Sequence, residues 1–254
     1  MLVLVALATL SFMAKDGITL RLKPQQGKTY SMTTKSNMML MMEVQGQTMN
    51  QTQNMEFSQT FTPMSVTDQE TLFETQITNI KMSMSAMGMK MEYDSEHPEK
   101  TSPMLAGQTK EMDEAINKVS TVKYDNMGNV IDSVDIELSQ LGAGIIQLPK
   151  EEVEVGSTWS FSKNQSVSGT DINVNYIYTV TAISKKSVDV SISGEIEGTG
   201  AGEISGTYTG TASINPQTGL VNNSNLKQNL SMTMSQQGLN IPVTMVGTTT
   251  VVVK

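Results

Sequence analysis

The chain has 254 residues, a net charge of −8 and only 17% charged residues, which is enough length for one large β domain or two smaller ones around a real core. It is acidic, has no run of Lys or Arg and carries 5% aromatics, so it lacks the basic surface and the stacking platforms that nucleic acid requires, and no nucleic-acid partner is expected. With no cysteine there is no disulfide, thiolate metal site, Cys nucleophile or lipid-bearing cysteine in it.

Met1 to Ala14 is apolar and uncharged. It is too short to span a bilayer, which takes about 20 residues, and has the length of the apolar core of a secretory signal, with Ala14 as the cleavage residue. No basic residue precedes it and Phe12 is large for its place; a start codon set too far downstream accounts for the first departure. Residues 1–17 therefore read as a truncated signal peptide, and the protein is expected to be exported to the periplasm or cell envelope. A buried first strand is the competing reading.

Ile18 to Leu22 alternates as a short strand and stops at Pro24. Gly27-Lys28-Thr29-Tyr30-Ser31-Met32 then opens a long strand-like run, and Gly156-Ser157-Thr158-Trp159-Ser160-Phe161 repeats its pattern of Gly-x-Thr-aromatic-Ser-apolar. Met38, Leu40, Met42 and Val44 share one strand face. Met55, Phe57 and Phe61 alternate with Glu56, Ser58, Thr60 and Thr62, the period of two of a strand with one wet face. Phe73 to Ile77 continues the alternation. Ile80 to Ala86 and Met87 to Tyr93 read as a hairpin about Ala86–Gly88. Ser102 before Pro103 is a helix start, and Met104, Leu105, Met112, Ala115 and Ile116 fit one side of a helix over 103–118. Asp125 to Gly128 is a tight turn, and Ile136 to Leu148 fits a second, weaker helix.

After Gly156 the strands resume. Ile172, Val174, Tyr176, Tyr178 and Val180 share a face, as do Val188, Val190, Ile192 and Ile196. Asn215 to Gly219 is a turn that resembles the one at Asp125, and strands through Leu230, Met232, Ile241 and Val253 close the chain. The expected fold is mainly β: two similar antiparallel units from an internal duplication, 18–148 and 149–254, forming curved sheets or half-barrels with one or two helices between them.

Chemistry-bearing motifs are sparse. His97 is the one histidine, in a polar loop where a solvated role is the usual one, and no Gly-x-Ser-x-Gly or His-Glu-x-x-His occurs. An enzyme would have to gather Asp94, Glu96 and His97 with a basic partner. Gly198 to Gly202 does not end as a phosphate loop and opens no helix. The acidic Glu92, Asp94, Glu96 and Glu99 lack the spacing of a calcium loop. Neither a cofactor nor a metal is expected, and the chain reads as non-enzymatic.

The compositional oddity is methionine, 21 in all, with 15 between Met32 and Met112. Three readings stand open: thioethers filling irregular core gaps, thioethers lining a soft apolar cavity for lipid-like ligands, and Cu(I) capture by soft sulfur. The candidate ligand-binding residues are Tyr30, Met32, Met38, Leu40, Met42, Met82, Met84, Met89, Met91, Trp159 and Phe161.

The stretch Pro149-x-x-x-Val153-x-Val155-Gly156-x-x-Trp159, with the Gly-x-Thr-Tyr opening at Gly27 and Tyr93-Asp94-Ser95, resembles an uncharacterised family of exported bacterial proteins, of the domain-of-unknown-function kind. The resemblance implies a β-rich extracytoplasmic protein and transfers no catalytic residue. More loosely, the expected curved sheet with a helical plug is similar to bacterial lipoprotein carriers that hold acyl chains. The expected function is a non-enzymatic binding module for a lipid or other hydrophobic ligand. The alternative is a structural or protein-interaction component of the cell envelope, with an envelope protein as partner.

Overall fold

The structure, a computed structural model, describes residues 17–44, 46–105, 109–133, 144–167, 170–200, 203–236 and 239–254. The expected signal segment thus lies, to residue 16, outside the described residues.

Strands account for most of the described chain. They are β1 (Tyr30–Val44), β2 (Gln47–Val66), β3 (Glu70–Ala86), β4 (Met89–Asp94), β5 (Val119–Asp125) and β6 (Val130–Ser133) in the first half. The second half holds β7 (Thr158–Val167), β8 (Thr170–Ile183), β9 (Val188–Gly200), β10 (Ile204–Ile214), β11 (Val221–Gln236) and β12 (Leu239–Val253). All join one 12-stranded sheet in the order β6-β5-β3-β2-β1-β12-β11-β10-β9-β8-β7, with β4 on the far part of β3. Every ladder is antiparallel; most join consecutive strands as hairpins, while β3–β5 and β1–β12 join strands that are not consecutive. The halves meet where β1 pairs with β12, Met32 opposite Val253 through Met42 opposite Val243. Among the described residues β6 and β7 end this path and do not pair with each other, so the sheet is not closed.

Two turns in the first half and two in the second use the same chemistry. Gly27 and Gly156 take φ of 75° and 92°, a region glycine enters without a Cβ clash. Their amides donate to Pro63 and Val180 carbonyls at 2.8 Å in each case. The Thr67 hydroxyl accepts from the Gln69 and Glu70 amides, and the Ser184 hydroxyl accepts from those of Lys186 and Ser187. These are the side-chain turns that Ser and Thr favour.

Helix is scarcer than the sequence pattern predicts. Ser102-Pro103 does start a helical turn, but among the described residues of 103–118 there are only a 3-10 turn at Pro103–Leu105 and a short helix, α1 (Lys110–Ala115). The reason lies at the C-terminal end: Ile116 adopts an extended conformation and bridges to Ile77, and Asn117 turns at φ 64°. Sheet pairing of a β-branched residue outcompetes one more helical turn. Of the second expected helix, residues 136–143 lie outside the described residues, and 144–148 are irregular.

The core forms where chain segments fill the sheet's inner face. Ile18 and Val153 exchange backbone hydrogen bonds of 2.9 Å, the Leu22 amide donates to the Asn126 carbonyl at 2.8 Å, and the Lys23 amide donates to that of Thr218 at 2.9 Å. Asn126 and Thr218 lie in the β5–β6 and β10–β11 turns, six ladders apart in the sheet. In a flat sheet they would be roughly 29 Å apart at about 4.8 Å per ladder. Two successive amides reach both, so the sheet curls around the 17–24 segment, which with residues 144–153 forms an irregular plug in the curl. Leu20 and Leu22 are fully buried there, in one core cluster with Leu148, Val153, Phe61, Phe73, Val180 and Val188.

Candidate functional site

The registers align the inner face into rows that cross the whole sheet. One row runs Met91, Met84, Gln53, Met38, Gly247, Gln228, Tyr208, Gly194, Tyr176, Phe161, each directly opposite the next. The row nearer the plug runs Tyr93, Met82, Met55, Ser36, Thr249, Leu226, Gly210, Ile192, Tyr178, Trp159. The next row away from it runs Met89, Ala86, Gln51, Leu40, Met245, Leu230, Gly206, Ile196, Val174, Lys163. Partners across a ladder and residues two apart along a strand share a face, so every candidate residue named from the sequence lies on this one face.

The curled sheet divides those residues by depth. Tyr30, Met32 and Met82 are buried in the main core, at 6%, 1% and 8% exposure. Trp159, Phe161 and Met91 are partly buried and pack against it. Met38, Leu40, Met42 and Met84 are half-buried and, among the described residues, belong to neither core cluster; Met89 is exposed at the rim. A smaller cluster of Ile172, Val174, Ile196 and Leu230, with Tyr208 and Met245 against it, forms the other wall of the same face. The segments that fill the inner face bond at the turn end of the sheet, so the half-buried methionines stand beyond them.

Two aromatic stacks border the plug. Tyr30 and Phe61 lie 5.4 Å apart at 16°, and Trp159 and Tyr178 lie 5.1 Å apart at 17°. The Trp159 indole N–H donates to the Gln147 carbonyl at 2.9 Å, which ties β7 to the 144–153 segment. Farther out, the Tyr176 and Tyr208 rings meet at 5.4 Å, and burial raises the pKa of both phenols. No side chain crowds that wall because Gly194 sits opposite them both: a Cβ there would come within 2.8 Å of the Tyr176 ring.

The outer face carries the charge. Lys35, Glu56, Lys81 and Asp94 stand opposite one another across β1 to β4, with ion pairs of 3.0 Å for Lys35–Glu56 and 3.6 Å for Lys81–Asp94. Lys81 also binds Glu96 at 2.6 Å, so these carboxylates raise its pKa. A groove of about 500 Å³ crosses this outer face, lined by Asn37, Met39, Thr52, Asn54, Lys227 and Val246 among others, and it also touches the inner-face positions Met38, Gln228 and Gly247. Sequence reasoning missed this groove, because strands β2 and β10 meet it only through ladders that no local pattern specifies. It also passed over Gln53 and Gln228, which interrupt the inner face with neutral polar groups.

The residues that would carry other chemistry are dispersed. His97 is exposed and its Nδ1 lies 3.3 Å from Glu99, while Asp94 and Glu96 are held by Lys81 and Glu92 by Lys90. Among the described residues, no group of three or more His, Cys, Asp or Glu converges on a metal position. Gly198 and Gly200 run within β9, and Ala201 and Gly202 lie outside the described residues. No helix of the described residues is long and apolar enough to cross a membrane.

The sequence of residues 138–221 matches the model of a family of unknown function, DUF6263. That stretch includes the Pro149 to Trp159 motif, and the resemblance to an uncharacterised family is borne out there. No match is found among curated proteins. Among solved structures the chain is similar to lipovitellin, in a structure of its lipid–protein interactions, with a TM-score of 0.54 and 8% identity over 91% of this chain and 25% of that one. The chain thus spans about a quarter of that protein's length. It is also matched, at a TM-score of 0.28 and 9% identity over 92% of this chain and 98% of the other, by the COG4313 outer membrane channel from Pseudomonas putida F1. The likeness to lipovitellin is one of fold: a large, open, curved antiparallel sheet.

Proposed function

We propose that this is an exported, non-enzymatic binding module whose curled inner face takes a lipid or other hydrophobic ligand. The observation that carries the reading is the half-buried group Met38, Leu40, Met42 and Met84, aligned on the inner face and outside both cores. Thioethers and leucine in that position offer a soft apolar surface that accepts chains of varied shape. Tyr30, Met32 and Met82 support the floor from the core, while Met91, Met89, Trp159 and Phe161 rim it. The shared fold with lipovitellin, whose structure concerns lipid–protein interactions, is in keeping with this reading.

The two-unit architecture belongs to the same proposal. The paired turns at Gly27 and Gly156, Thr67 and Ser184, and Asp125 and Asn215, with one aromatic stack in each half, support an internal duplication of 18–148 and 149–254. Duplication would build a trough long enough for an acyl chain from two short ones.

A second reading, as an interaction component of the envelope, rests on β7. Its ten residues form a free edge that a partner strand would extend. Native mass spectrometry of the full chain purified from a bacterial periplasm, followed by solvent extraction, separates the two. A reproducible added mass that extraction identifies as lipid supports the binding module. A bare mass that stays bare after incubation with lipids overturns it in favour of the edge reading.

A further inference from the structure

The inner face is almost free of charge, yet it is not purely apolar. Across the three rows described above and the next one outward, Met49, Met42, Val243, Met232, Ile204, Gly198, Ile172, Gln165, the one charged residue is Lys163. It sits exposed on the β7 edge strand. The interleaved polar groups are all neutral: Ser36 and Thr249, Gln51 and Gln53, Gln228, Tyr176 and Tyr208. Apart from Lys163, the charge of these strands lies on the opposite face, where Lys35, Glu56, Lys81 and Asp94 neutralise one another.

Neutral polar groups gather at the centre of this face. Gly247 is buried between Met38 and Gln228, and those two side chains close over it: a Cβ would stand only 3.0 Å from Met38 Cγ and 3.2 Å from Gln228 Nε2. Gln228 is directly opposite Tyr208, so a half-buried amide and a half-buried phenol stand beside the Met38 thioether.

Resting on the binding reading above, we infer that the ligand is an electrically neutral acyl lipid, its ester or hydroxyl group set beside Gln228 and Tyr208 and its chain laid along the methionines. A carboxylate or phosphate drawn into this face would lose its hydration and meet no cation, a cost that only pairing or neutralisation offsets. An ester or hydroxyl needs one donor or acceptor, which the amide and phenol supply.

The test is displacement of a bound neutral fluorescent naphthylamine from the full chain by three ligands with the same chain: monoolein, oleyl alcohol and ionised oleate at mildly alkaline pH. Monoolein and oleyl alcohol are expected to displace at concentrations at least about tenfold lower than oleate, the factor that 1.4 kcal/mol of uncompensated charge produces. Gln228→Lys, which places a cation beside Tyr208, is expected to narrow or reverse that preference. Oleate displacing as well as the neutral ligands overturns the inference while leaving a hydrophobic site in place. Failure of the probe and of every lipid to bind overturns the binding reading and this inference together. If Gln228→Lys does not fold by circular dichroism, the three-ligand series on the unaltered protein decides alone.

Discussion

Trp159 stacks on Tyr178 across the β7–β8 ladder, with ring centroids 5.1 Å apart and planes 17° from parallel. It is the one tryptophan in the chain, and its indole N–H holds the Gln147 carbonyl at 2.9 Å. Two effects are therefore separable at one residue. Trp159→Phe keeps a stacked ring and removes the hydrogen bond, for an expected loss of about 1 kcal/mol. Trp159→Ala removes both and leaves a void against the core, for about 3 kcal/mol. Urea unfolding followed by circular dichroism measures both, and equal losses would show that the stack contributes nothing.

Thr71 is fully buried in β3, and its hydroxyl has no hydrogen-bond partner among the described residues. A desolvated hydroxyl without a partner costs more than it returns. Thr71→Val keeps the branched shape that a strand favours and removes the polar atom. The variant is expected to be more stable by about 1 kcal/mol. A lower unfolding midpoint at unchanged slope would mean that the hydroxyl has a partner after all.

The strand faces were legible in the sequence because alternation is a local signal. Met38, Leu40 and Met42 fall on one face as the period of two requires, and the Ala86–Gly88 hairpin turns where its glycine allows. Three things were not legible. The pairing of β1 with β12 joins the ends of the chain, and no local pattern encodes a partner some two hundred residues away. Ile116 reads as helical by spacing but is claimed by a bridge to Ile77. Finally, Met32 and Met38 look alike in sequence, yet Met32 is core and Met38 is not. What separates them is the plug of 17–24 and 144–153: Ile18 to Leu22 alternates in sequence as a strand would, yet apart from the Ile18 bridge it joins no ladder and fills the curl instead, which no local pattern specifies.

Alkaline pH should unfold the protein through its buried phenols. Burial pushes Tyr124 and Tyr178 up to about 12 from an ordinary 10.0, because the charged form is poorly solvated in the core. Burial, and then a hydrogen bond to Asp113, also raises Tyr93. A folded-state value above the unfolded one means that the neutral phenol is favoured in the fold. The stability it contributes is complete below pH 10 and is lost as pH rises towards 12. Stability measured by urea midpoint is expected to fall over that interval, with tyrosinate absorbance rising in step. Tyr124→Phe should soften the fall, and an unchanged profile would remove Tyr124 from the account.

Arg21 is the clasp that keeps the plug in the curl. Its guanidinium donates to the Leu20 carbonyl at 2.6 Å, the Pro149 carbonyl at 2.9 Å and the Lys150 carbonyl at 2.6 Å. The last two contacts join segments 128 and 129 residues apart in sequence. A planar fork with several donors can serve carbonyls on two segments at once, whereas an ammonium on a flexible stem serves them less well. Arg21→Met keeps the aliphatic stem and leaves the carbonyls without that donor, for an expected loss of about 2 kcal/mol. Arg21→Lys should recover only part of it. The more telling readout is amide exchange. If the clasp holds the segments together, the Ile18, Leu22 and Val153 amides should exchange faster in Arg21→Met, while the amides of the β1–β12 ladder stay protected. Uniform acceleration across the sheet would instead mean that the plug and the sheet unfold as one unit and that Arg21 clasps nothing in particular.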